Sequence, residues 1–197
     1  MSGTVDPGNT LSWRFLRYRR LLAIAAAVLV LDQLTKAWIA YCLPFPTYGV
    51  AAGAIPVIRG FFYVVHVGNT GAAWSVFTGR SFLLAALAAG TLVAIFLGRR
   101  SLDLAAPKPQ VWFGLMCGGI SGNLIDRVTR GHVVDFLDFH FGNYIYPTFN
   151  LADSAICVGV ALYVLTSLNS PKSPVRILTV GTVLMDGPVF GMLWREA

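Results

Sequence analysis

Residues 21–42 read LLAIAAAVLVLDQLTKAWIAYC, and their reading decides the class of fold. The run is long enough to cross a bilayer core, which takes about 20 predominantly apolar residues in a helix. It nevertheless carries Asp32 and Lys36. Four residues apart, these share one helix face and can neutralise each other. The pair reads as an internal brace, with Gln33 beside it; it either lowers the cost of insertion or supports a site. Arg14, Arg17, Arg19 and Arg20 precede the run. No small-x-small exit follows it, so it is expected to stay as an anchor and not to be cleaved.

Three further runs have the same character: Ser81 to Gly98, about Val111 to Ile125 with an extension through Arg127, and about Phe149 to Leu168. The chain has 197 residues, 56% hydrophobic and 12% charged. Soluble domains carry roughly 25% charged residues. The formal charge is +6, but the basic residues fence the apolar runs, which is a topology signal and not a nucleic-acid footprint. The N-terminal flank, the loop from Arg99 to Lys108, and Lys172 with Arg176 all fall on one side of a four-span arrangement. Both termini are therefore expected to be cytoplasmic. The connections 43–80 and about 128–148 then face outward.

The first outer connection holds Ile58 to Val67, β-branched and aromatic between turn residues, which predicts strands. Phe61, Phe62, Tyr63, Trp74 and Phe77 can supply an interfacial aromatic belt. The expected architecture is an all-α membrane domain over 1–168 with a small β element. It comprises four transmembrane helices and a β-cradle at about 44–79 on the outer surface. Residues 169–197, broken by Pro and Gly, read as a tail. Cys42, Cys117 and Cys157 form no disulfide or metal pattern and read as small buried hydrophobes. His66, His132 and His140 make no metal-ligand set, and no phosphate loop is present, so no metal or cofactor is expected.

Acidic and amide residues gather at one end of these runs. Asp135 stands in Gly131-His132-Val133-Val134-Asp135-Phe136 and Asp153 in Phe149-Asn150-Leu151-Ala152-Asp153-Ser154. A carboxylate near a bilayer marks a functional site by default. Two together can share one proton and activate a water, although each can also be a paired structural group. Asn150 precedes Asp153 by three, as a helix cap precedes its first-turn carboxylate. In the third run Gly114, Gly118 and Gly122 form a small-residue stripe for close helix contact. Asn123, Asp126 and Arg127 share a face. Asp126 and Arg127 read as a helix-end ion pair, or Arg127 as a clamp on a substrate carbonyl or a phosphate. Asn69-Thr70-Gly71-Ala72-Ala73-Trp74-Ser75 suits either a simple turn or a grip on an extended peptide. Ser154 has no evident base partner.

Together these motifs resemble signal peptidase II, the bacterial lipoprotein signal peptidase. The resemblance spans roughly Leu31 to Val158. It rests on Asp32-Gln33-x-x-Lys36, Asn69-Thr70-Gly71-Ala72-Ala73, Gly119-x-x-Gly122-Asn123-x-x-Asp126-Arg127, Val133-Val134-Asp135-Phe136 and Phe149-Asn150-x-Ala152-Asp153-Ser154. Gly68 departs from it, where a larger or basic residue often stands. The resemblance implies four transmembrane helices, an outer β-cradle and an aspartyl dyad of Asp135 and Asp153. Asn123, Asn150, Asp32, Lys36, Asn69, Gly119 and Arg127 match residues that line or brace that site, and Asp126 matches a supporting carboxylate. Asp138 is an extra carboxylate.

The activity implied is that of an aspartic endopeptidase of the inner membrane, with its site toward the outer face. It would cut a diacylglyceryl-modified prolipoprotein just before the lipidated cysteine, without metal or cofactor. The chain is expected to act as a monomer, to contact membrane lipid, to hold the substrate's lipid tails between its helices, which fits the small-residue stripe, and to bind no nucleic acid. A small proton- or ion-coupled carrier is the alternative from another class, because intramembrane Asp and Asn pairs also serve as relays. A lipid-binding scaffold without catalysis is a third.

Overall fold

The computed structural model describes residues 16–47, 53–72, 74 and 76–169. Arg14 of the basic flank, Ala73 and Ser75, and the tail beyond Asn169 lie outside these. The elements are α1 (Arg19–Cys42), β1 (Ile55–Ile58), β2 (Phe62–Asn69), α2 (Ser81–Leu97), α3 (Pro107–Arg130), β3 (Val133–Phe141), β4 (Tyr144–Ile145) and α4 (Leu151–Asn169). The chain divides into a unit of residues 1–165 and one of residues 166–197; of the second only 166–169 are described.

Each of the four apolar runs forms a helix, but they differ in kind. Among the described residues only α1 and α4 are both long and apolar enough to pass as membrane spans. The apolar helix α2 has 17 residues. α3 has 24 residues, but its buried positions include Gln110, Gly114, Gly118, Gly119, Gly122, Asn123 and Asp126. Small and polar groups replace apolar bulk there because that surface meets other helices. α3 starts with Pro107 at its first position, where a missing N–H leaves no bond unmade. It ends at Gly131, which takes the left-handed conformation at φ 75°.

The glycine stripe of α3 is occupied by α1. A Cβ on Gly118 would meet the carbonyl oxygen of Ala25 at 2.7 Å and Val28 Cβ at 2.7 Å. The expectation that acyl chains lie along this stripe is therefore wrong: α1 already fills it. The cysteine expectation also fails in part, since Cys42 and Cys157 are exposed. On an apolar spanning helix the outer face is as apolar as the inner one, so hydrophobicity does not assign burial.

The predicted strands form one antiparallel sheet in the order β1-β2-β3-β4. Arg59 to Phe61 make the turn between β1 and β2. Two of the four strands, β3 and β4, come from the second connection. β2 and β3 pair Phe62 with Phe139, Tyr63 with Asp138, Val67 with Asp135 and Asn69 with Val133, with a register shift between Val64 and Val67. Val134 and Phe136 pack on Ile39 and Leu43 at the end of α1. Side chains alternate along a strand, so Asp135 is turned to the opposite face. At the other end of the helices Leu104, Phe113 and Met116 form a second cluster.

Candidate active site

Asp135 is 1% exposed. Both of its oxygens accept amide protons: Oδ2 from Asn69 Nδ2 at 2.9 Å and Oδ1 from Asn150 Nδ2 at 2.7 Å. Burial pushes its carboxyl up to about 7, and the nearby charge of Asp153 pushes the same way. The two amide hydrogen bonds and the charge of Lys36 oppose them.

Asp153 stands in the first turn of α4. Its Oδ1 accepts from Asn123 Nδ2 at 2.7 Å. Its backbone N–H donates to Asn150 Oδ1 at 3.0 Å, while the Asn150 N–H donates to Asp153 Oδ2 at 3.2 Å. This is a reciprocal capping box built from Asn and Asp. Asn150 thus both caps the helix and bonds Asp135. One atom of its amide ends the helix and the other reaches across to Asp135. The same Nδ2 also lies 3.2 Å from Asn123 Oδ1, which closes the amide chain.

Beneath the pair lies a buried charge network. Lys36 is fully enclosed, and its ammonium reaches Asp32 Oδ2 at 2.8 Å, Asp126 Oδ2 at 2.9 Å and Asn123 Oδ1 at 2.9 Å. Three donors meet three acceptors, which is the condition for keeping such a charge out of water. Asp32 Oδ1 accepts the backbone N–H of Ala152 at 3.1 Å, and Asp126 Oδ2 accepts that of Val134 at 3.3 Å. The network thereby grips the neighbours of both aspartates, one residue before Asp135 and one before Asp153. Gln33 Nε2 lies 3.2 Å from Asp32 Oδ2 and 3.3 Å from Asp126 Oδ1.

The expected Asp126–Arg127 ion pair is not formed. Adjacent residues on a helix point 100° apart, so Asp126 turns to Lys36 and Arg127 turns away. Arg127 donates instead to the carbonyl of Gly71 at 3.0 Å and, more weakly, to that of Asn123 at 3.4 Å. It clamps the loop that follows Asn69. Its Nε is buried with no partner among the described residues. Asn69 Oδ1 accepts from the N–H of Gly71 at 2.9 Å, so the Asn69 segment is a turn whose Asn also holds Asp135.

Close backbone approach explains two glycines. A Cβ on Gly119 would collide with the carbonyl oxygen of Ala152, and one on Gly122 with the carboxylate of Asp32. The Gly68 departure is also steric: a Cβ there would sit 2.9 Å from His132 and 3.0 Å from Phe45, whose rings stack at 5.5 Å. Asp138 lies three residues from Asp135 and so on the other face of β3, bonded to His140 Nε2 at 2.8 Å. Ser154 Oγ donates to the carbonyl of Asn150 at 3.0 Å. Among the described residues no group of three or more His, Cys, Asp or Glu is arranged as a metal-ligand set.

Every side chain bonded to Asp135 or Asp153 was a candidate from sequence. The backbone groups that complete the site, Gly71 O and Ala152 N–H, leave no mark on residue identity and could not be read there.

A family model described as Signal peptidase (SPase) II matches residues 24–169. The lipoprotein signal peptidase of Syntrophotalea carbinolica is 40% identical over 157 residues, covering 77% of this chain and 92% of that protein. The lipoprotein signal peptidase of Oleidesulfovibrio alaskensis is 44% identical over 151 residues, covering 73% and 90%. A solved structure described as a bacterial membrane enzyme superposes with a TM-score of 0.67 at 31% identity, covering 79% of this chain and 94% of that one. A second under the same description gives 0.60 at 31% identity, covering 77% and 94%.

Proposed function

The chain belongs to the signal peptidase II family, and from that premise we propose that it is a membrane aspartic endopeptidase acting on diacylglyceryl-modified prolipoproteins. It hydrolyses the bond just before the lipidated cysteine, and Asp135 and Asp153 do the chemistry. The observation that carries this reading is that one asparagine, Asn150, bonds both carboxylates at once.

In the working state one aspartate is ionised and the other protonated, because like charges held close in a low dielectric do not both ionise easily. The ionised one removes a proton from water as its oxygen attacks the scissile carbonyl carbon. The protonated one donates to the carbonyl oxygen. Collapse of the tetrahedral adduct returns a proton to the departing cysteine amine. Which aspartate starts with the proton is a property of the pair. Asn69, Asn123 and Asn150 orient the carboxylates. Lys36 with Asp32 and Asp126 fixes the backbone beneath them, and Gly119 lets α4 approach α3. Arg127 positions the Asn69 loop.

All four helices span the inner membrane. The dyad sits where α1 and α3 end and α4 begins, while Arg17, Arg19, Arg20, Arg99, Arg100 and Lys108 lie at the opposite helix ends. Positive residues favour the cytoplasm, so the site faces outward under the sheet and both termini are cytoplasmic.

The test is cleavage of a purified prolipoprotein, with and without its diacylglyceryl group, by the full chain in a bilayer. Wild type should cut only the lipidated form, and Asp135→Asn or Asp153→Asn should each abolish the reaction while the protein remains folded. Persistent cutting by both variants refutes the dyad. An inert wild type that moves protons across the bilayer favours the carrier.

A further inference from the structure

At the end of the molecule remote from the dyad, Arg17, Arg19 and Arg20 border a depression of about 290 Å³ together with Leu16, Pro107 and Gln110. All three arginines are exposed, and among the described residues none of them enters an ion pair. Surface arginines that merely fix topology need no set geometry. These have one. Gln110 is 4% exposed, and every partner it has belongs to backbone. Its Oε1 accepts the N–H of Arg20 at 3.2 Å, and its Nε2 donates to the carbonyls of Arg17 at 2.9 Å and Ala105 at 3.0 Å. One buried amide thus pins the arginine-bearing turn to the start of α3. Arg99, at the same end, is already engaged with Phe96, its guanidinium 4.6 Å from the ring centre.

We propose that this depression binds the phosphodiester headgroup of an anionic lipid. Three arginines bordering one concavity suit a phosphate, which guanidiniums bond through paired N–H groups. Leu16 lines the depression, and Leu16 and Leu22 are exposed at 52% and 46%, apolar surface that acyl chains can cover and a soluble anion would not use. Basic pockets between helices on the cytoplasmic side are a known form of lipid headgroup site.

The experiment places the full chain in phosphatidylcholine bilayers with and without phosphatidylglycerol, then measures lipid retained after delipidation and the thermal midpoint. Wild type should retain phosphatidylglycerol in preference to phosphatidylcholine. Arg17→Gln, Arg19→Gln and Arg20→Gln should each weaken retention about fivefold. Gln110→Leu, which removes no charge, should weaken it too, whereas Arg99→Gln with Arg100→Gln should not. Equal loss in the Arg99 and Arg100 variant, or none in Gln110→Leu, would mean a diffuse surface potential and overturn the site. Stabilisation by inorganic phosphate equal to that by phosphatidylglycerol would assign a soluble anion and overturn the lipid. Thermal unfolding in pure phosphatidylcholine checks that each variant is folded.

Discussion

Asn150 and Asp153 hold each other, the backbone N–H of each donating to the side chain of the other at 3.2 and 3.0 Å. The cap of α4 and the setting of the second carboxylate are one device. Asn150→Asp keeps an oxygen for the cap but replaces the N–H that reaches Asp135 with a third carboxyl. Its cleavage rate should fall far more than its thermal midpoint. Asn150→Ala loses both functions, and the cap alone is worth about 1 kcal/mol. Paired measurements of kcat and Tm separate the two variants.

Asp135→Asn and Asp153→Asn should each lower kcat by at least a hundred- to ten-thousand-fold, the range for a positioned acid or base. Asp138→Asn should leave kcat within a few-fold and act on stability, because its partner is His140 on the other face of β3. A loss of kcat in Asp138→Asn matching that in Asp135→Asn would misassign the pair.

Asp135 is raised from 3.8 to about 7 in the folded chain. A raised carboxyl binds a proton that the unfolded chain releases. Its contribution to stability is therefore complete below about pH 4 and is lost as pH rises to about 7. The same titration removes the singly protonated dyad, so kcat/KM should show an alkaline limb near pH 7. Asn69→Ala deletes a hydrogen bond to the ionised form and should move that limb upward. A limb that stays in place would show that Asn69 does not act on the dyad.

Lys36→Met strips the counter-charge from Asp32 and Asp126, both fully buried. Breaking a buried pair by removing one partner costs about 3–5 kcal/mol. Adding Asp32→Asn and Asp126→Asn should recover part of that stability without restoring cleavage. Unfolding in detergent, read beside the cleavage rate, tests both halves.

Gly119→Ala forces a methyl group against the carbonyl of Ala152, a backbone atom that cannot swing aside. Overpacking of this kind costs about 1–3 kcal/mol. The displaced backbone lies next to Asp153, so activity should fall along with stability. Gly90→Ala, with open space around its Cβ inside α2, is the matched control and should leave activity unchanged and stability equal or slightly raised.

The sequence by itself determined the four helices, because apolar runs of this length have no other stable form near a bilayer. It also singled out the residues proposed here to carry the chemistry, since Asp, Asn and Lys in such surroundings are otherwise too costly to keep. Only the tertiary structure decided their partners. Helical spacing put Asp126 near Arg127 in number, but the 100° step turned it to Lys36 on another helix. The glycine stripe was legible as a contact face, yet nothing in α3 could say that α1 would fill it before a lipid could. Sheet pairing was hidden for the same reason. β2 and β3 lie some seventy residues apart, and they meet where Val64 of β2 and Val134, Phe136 and Leu137 of β3 pack with Ile39 and Leu43, not through any local preference.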